Sequence, residues 1–169
     1  AQTYNIDVSK VVIMGHSAGG TIVASVSTDE KYFEDVGLGL SSLKCTIVLD
    51  AAKYDVLAAV KQGRYKGDVE VSYEDVFGTD EATLIDASAI NHIESGKDIP
   101  EMILFTQGTS IRKADVRAFS DKLSANGVSN ALYNVDPLDH EEVNDAVGNP
   151  SDKLVTPRIL DFLDSYCIA

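Results

Sequence analysis

The chain has 169 residues, 44% hydrophobic and 24% charged, with 12 Gly and 4 Pro, the composition of a globular domain rather than a disordered or fibrous chain. Lys and Arg number 14 against 27 Asp and Glu, and the formal net charge of −13 repels phosphate backbones and anionic lipid, so no nucleic acid or membrane-surface partner is expected. No run approaches the roughly 18 consecutive apolar residues of a membrane span, and Cys45 and Cys167, both in apolar stretches, are read as small core residues rather than as a disulfide framework.

In chain order, Lys10 to Met14 is a short β-branched apolar run ending at Gly15, as expected of a parallel strand buried on both faces. Ala18 to Ser27 follows as a helix, with Ile22, Val23 and Val26 on one side. Cys45 to Leu49 and Met102 to Thr106 repeat the strand pattern, and Ala131 to Val135 is a fourth, weaker strand. Between the last two, Val116, Phe119 and Leu123 space a helix over Arg112 to Asn126 that stops at Asn126-Gly127. A final helix is predicted with Thr156 as cap, Pro157 at its first position, and a stripe of Ile159, Phe162, Leu163 and Tyr166. Alternation of this kind calls for an α/β fold, a parallel sheet flanked by helices.

Residues 51–100 form a polar excursion rich in Tyr, Asp and Gly, with helical hints at Val56 to Val60 and Glu81 to Ile85. A stretch that long within an α/β domain is read as a lid or an insertion over a site. With neither repeat nor linker, residues 1–169 are expected to form one domain.

Gly15-His16-Ser17-Ala18-Gly19 matches G-x-S-x-G, set between a strand and a helix as that pattern requires. A serine on so sharp a turn is held in a strained conformation, and only small neighbours let strand and helix pass closely. The turn would lift the Ser17 hydroxyl above the sheet edge, with the Ala18 amide as an oxyanion donor. A serine needs a base to take its proton, and three histidines compete for that role. His16 is predicted to leave the turn on the other face, and His92 to be a surface or packing residue. His140, on the loop after the last strand, is the expected general base. Scattered histidines give no metal ligand set, Gly19-Gly20 lacks the Lys of a phosphate loop, and no cofactor is expected.

These residues resemble the α/β-hydrolase family, and within it the esterase and carboxylesterase branch with a GHSAGG elbow. The resemblance runs through Asp7-Val8-Ser9-Lys10, Gly15 to Gly20, Ile90-Asn91-His92-Ile93, Gly108 and His140. It implies ester hydrolysis through an acyl-enzyme on Ser17, with His140 as base and a small-molecule ester as substrate. The alternatives are a serine peptidase or amidase of the same fold and a non-catalytic binding module. The family's acid follows a Gly after the strand at Met102 to Thr106, but here Gly108 precedes Thr109, Ser110 and Ile111. The resemblance therefore offers Asp50, at the end of the preceding strand, with Asp115, or no acid at all, as the other possibilities. The family also places several strands and a second oxyanion donor before the elbow. The chain thus looks like a C-terminal half lacking the N-terminal strands. A preceding segment, separate chain or homo-oligomer is expected to cover the strand edge at Lys10 to Met14.

Overall fold

The computed structural model describes residues 2–4, 6–62 and 73–168. Four strands, β1 (Val12–His16), β2 (Cys45–Leu49), β3 (Glu101–Thr106) and β4 (Asn130–Asn134), pair in parallel in the order β1-β2-β3-β4. The register aligns His16 with Leu49, Leu49 with Phe105, and Thr106 with Asn134, so the strands end together at one edge. Single bonds carry the ladder one step further: Ser17 N donates to the Leu49 carbonyl at 3.0 Å, Asp50 N to Phe105 at 3.0 Å, and Val135 N to Thr106 at 2.9 Å.

Alternation along β2 separates the two faces of the sheet. Val48 packs with Ala24, Val116, Phe119 and Leu123, which belong to α1 (Ala18–Thr28) and α6 (Ser110–Ala125). Cys45, Ile47 and Leu49 face Val143, Ile159 and Phe162, carried by α7 (His140–Asp145) and α8 (Thr156–Phe162). The short helix α2 (Lys31–Glu34) follows α1, while α3 (Val56–Gln62), α4 (Tyr73–Phe77) and α5 (Glu81–Asp86) lie within the excursion, whose residues 63–72 fall outside the described set.

Several expectations are corrected. Cys45 and Cys167 are buried as expected, but they are joined in a disulfide that ties the start of β2 to the C-terminal turn, a pairing that spacing in sequence could not reveal. The strand expected to be buried on both faces begins at Val12 and lies at the sheet margin, with Met14 48% exposed. Of the apolar side expected of α1, Val23 packs against the core but Ile22 is 63% exposed. The helix is buried through Gly20, Ala24, Ser27 and Thr28, which allow close approach to the sheet. There the buried hydroxyls of Ser27 and Thr46 meet at 2.6 Å.

Thr156 does not cap α8. Its hydroxyl donates to the Ala146 carbonyl and accepts from Gly148 N, while the Asp152 carboxylate accepts from the amides of Leu154, Val155 and Thr156 at 2.6–3.0 Å. Tyr166 leaves the predicted stripe, at 44% exposure, because α8 widens into a π-turn over Leu163–Cys167 that brings Cys167 inward.

Candidate active site

Ser17 joins β1 to α1 with φ 56° and ψ −123°, a conformation costly for a residue with a Cβ. The flanking glycines make the turn possible. A Cβ at Gly15 would stand 2.2 Å from the Gly19 carbonyl oxygen, and one at Gly20 would stand 2.6 Å from the Ala51 Cβ. Ala18 opens α1, so its amide is among the first-turn donors that no intrahelical carbonyl can satisfy.

His140 is the first residue of α7, fixed by a capping box in which the Asp139 side chain accepts from Glu142 N and the Glu142 carboxylate accepts from Asp139 N, both at 2.8 Å. From there its Nε2 lies 2.8 Å from Ser17 Oγ and its Nδ1 lies 2.6 Å from Asp50 Oδ2. The structure thus brings together Ser17, His140 and Asp50, while Asp115 lies within α6. An imidazole between a hydroxyl and a carboxylate can accept the hydroxyl proton on one nitrogen while the other donates to the acid.

Asp50 follows β2 at φ 44° and is fully buried. Burial on its own would raise its proton affinity. Hydrogen bonds from His140 and Gln107 and the positive charge of Arg112 outweigh it, holding the carboxyl below the usual carboxylate range. Gln107 donates through Nε2 at 2.8 Å and through its backbone N at 3.2 Å, and Arg112 Nε donates to Oδ1 at 3.0 Å. Neither residue was singled out from the sequence. The available signal was the absent carboxylate after Gly108, which leaves that place to other side chains.

His16 is not on the other face. Its ring lies 4.5 Å from that of His140, and its Nε2 donates to the His140 carbonyl at 2.8 Å. His92 is engaged elsewhere, its Nε2 donating to the Asp86 carbonyl at 2.7 Å. Among the described residues, Asp29, Asp86 and His92 form a group whose ligand atoms lie within 4.8 Å of one another. The Lys31 ammonium already bridges the two carboxylates, at 2.9 Å and 2.7 Å, so that position holds a resident cation. Among the described residues, no helix is long and apolar enough to cross a membrane.

No protein-family model and no curated protein matches the chain. Solved structures do. A fungal esterase from Rhizomucor miehei aligns over 98% of this chain and 54% of its own, at 21% identity and a TM-score of 0.65. An acetyl ester-xyloside bifunctional hydrolase from Caldicellulosiruptor lactoaceticus aligns over 96% of this chain and 59% of its own, at 19% identity and a TM-score of 0.69. The fold is that of the α/β-hydrolases. A thermophilic esterase from Thermogutta terrifontis agrees, over 94% of this chain and 55% of its own, at 21% identity and a TM-score of 0.62. The chain therefore spans a little over half the length of the α/β-hydrolases it matches. Within that fold, Ser17, Asp50 and His140 occupy the edge where the parallel strands end, the place where open α/β sheets carry their chemistry.

Proposed function

We propose that this chain carries the reacting groups of a serine hydrolase that cleaves carboxylic esters. The observation that supports the reading best is the continuous relay from Ser17 Oγ through the His140 ring to Asp50, with contacts of 2.8 Å and 2.6 Å. In this reading Ser17 Oγ attacks the ester carbonyl as His140 Nε2 takes its proton. Asp50 holds the ring by Nδ1 and stabilises the imidazolium. The tetrahedral oxyanion receives a hydrogen bond from the Ala18 amide, and His140 returns the proton to the departing alcohol. Water then attacks the acyl-Ser17 ester with His140 again as base, releasing the acid and restoring the hydroxyl.

The small-ester substrate class is supported by likeness to structures named as esterases. The described parts of the excursion, residues 51–62 and 73–100, are assigned to the wall of the acyl site; there the Lys53 ammonium lies 4.3 Å from the ring centre of Tyr73, the first residue of α4. The second oxyanion donor is assigned to a preceding segment, a separate chain or a second copy packed on the margin of β1, where Met14 is exposed. Hydrolysis of p-nitrophenyl acetate by the wild type and by Ser17→Ala tests the reading, together with fluorophosphonate labelling of Ser17. Wild-type turnover that vanishes in the variant is expected; equal rates, with no label on Ser17, would end the proposal.

A further inference from the structure

Arg112 lies in the first turn of α6, four residues beyond Gly108, on the stretch where the resembling family keeps its acid. Its side chain crosses back to the end of β2. The Nε donates to Asp50 Oδ1 at 3.0 Å, and an Nη2 hydrogen bond goes to the carbonyl oxygen of the same residue. One guanidinium thus grips both the carboxylate and the backbone of a residue at φ 44°, a backbone position that does not hold itself. Arginine suits this task because its donors are fixed in a planar fork and its charge persists across the working pH range.

We infer that Arg112 is a positioning residue for the relay, aiming the Asp50 carboxylate at His140. The inference rests on the serine-hydrolase reading. The groups around the carboxylate can be named from each element packed on it. His140 Nδ1 of α7 is 2.6 Å from Oδ2, and Gln107, after β3, supplies two donors. Tyr54, after β2, and Tyr73 of α4 lie within electrostatic reach of Arg112, and His16 of β1 backs the His140 ring. Among these described neighbours Arg112 brings the permanent positive charge. The fixed cation adds to the hydrogen bonds from His140 and Gln107 in favouring the ionised Asp50 carboxylate. Without it, the carboxylate would swing more freely and meet the His140 ring in a less uniform geometry.

The test compares Arg112→Gln and Arg112→Met, which remove the charge, with Arg112→Lys, which retains it, in the full chain with folding followed by circular dichroism. Loss of the aim should lower kcat about tenfold to a hundredfold, as small misplacements of catalytic groups do, with little change in KM. Turnover should return toward wild type in Arg112→Lys. The downfield proton resonance of the His140–Asp50 hydrogen bond supplies a readout independent of turnover: it should shift or broaden in the neutral variants and persist in Arg112→Lys. Folded neutral variants with wild-type kcat and proton resonance would overturn the inference while leaving Ser17-dependent hydrolysis intact. Absence of that hydrolysis in the wild type would overturn the serine-hydrolase reading instead, and with it the role of Arg112 as a positioning residue.

Discussion

The Ser17 amide donates to the Leu49 carbonyl at 3.0 Å, so the hydroxyl-bearing turn is fastened to the residue immediately before Asp50. Ser17 and Asp50 both adopt positive φ, at 56° and 44°, and both lie one step beyond the end of a paired strand. Two strained residues thus stand at neighbouring strand ends, linked through the Ser17–Leu49 hydrogen bond, and the His140 ring bridges their side chains.

Asp50→Asn retains the shape of the side chain but loses its charge. It should lower kcat for p-nitrophenyl acetate by on the order of ten-thousand-fold, as removal of a triad acid does elsewhere. Asp115→Asn, within α6, should keep wild-type turnover; a large loss there and none at position 50 would move the acid to Asp115.

The turn at Gly15 is a steric prediction. A methyl group there meets the Gly19 carbonyl oxygen at 2.2 Å and its carbon at 2.4 Å, backbone atoms that cannot rotate away. Gly15→Ala should cost about 3 kcal/mol, the upper end of ordinary overpacking, whereas Gly19→Ala meets nothing within 4 Å and should gain about 0.5–1 kcal/mol from helix propensity. Urea denaturation midpoints of the two variants should move in opposite directions.

The Cys45–Cys167 bond closes a span of 122 residues. Replacing both cysteines by serine should cost about 2–5 kcal/mol. Thermal melting of the wild type with and without a thiol reductant checks this without mutation, and an unchanged midpoint despite full reduction would count against it.

Asp152 anchors the start of α8. Partial burial works to raise its proton affinity, but amide donors from Leu154, Thr156, Val155 and Lys153 outweigh that and hold the carboxyl below its ordinary range. Its contribution is therefore fully present above the unfolded-state value of about 3.9 and declines as pH falls through the lower folded-state value. Asp152→Ala should lose about 1–2 kcal/mol at neutral pH, the range for caps, with the gap to wild type closing in strong acid. Chemical denaturation at pH 7 and near pH 2 measures both.

Much of this was legible in the sequence because parallel strands buried by helices are short apolar runs, and β2, β3 and α6 read that way directly. Ser17 and His140 could be named because a strand–turn–helix of small residues and a late loop histidine are local patterns. What escaped depends on distance through space. The disulfide joins residues far apart in sequence, and Arg112 meets Asp50 only when the start of α6 is brought to the end of β2. The buried side of α1 escaped for a different reason. It is built from Gly20, Ala24, Ser27 and Thr28, so a search for large aliphatic residues finds Ile22, on the outer side.

The Ser27–Thr46 hydroxyl pair, 2.6 Å apart inside the protein, acts as a dowel at the far end of α1. Greasy surfaces resist separation yet tolerate sliding; a short polar peg between helix and sheet does not. The tail of α1 is thereby pegged to the sheet at the end opposite the Ser17 turn, so a change at Ser27 or Thr46 acts on the same helix whose first residue supplies the Ala18 amide.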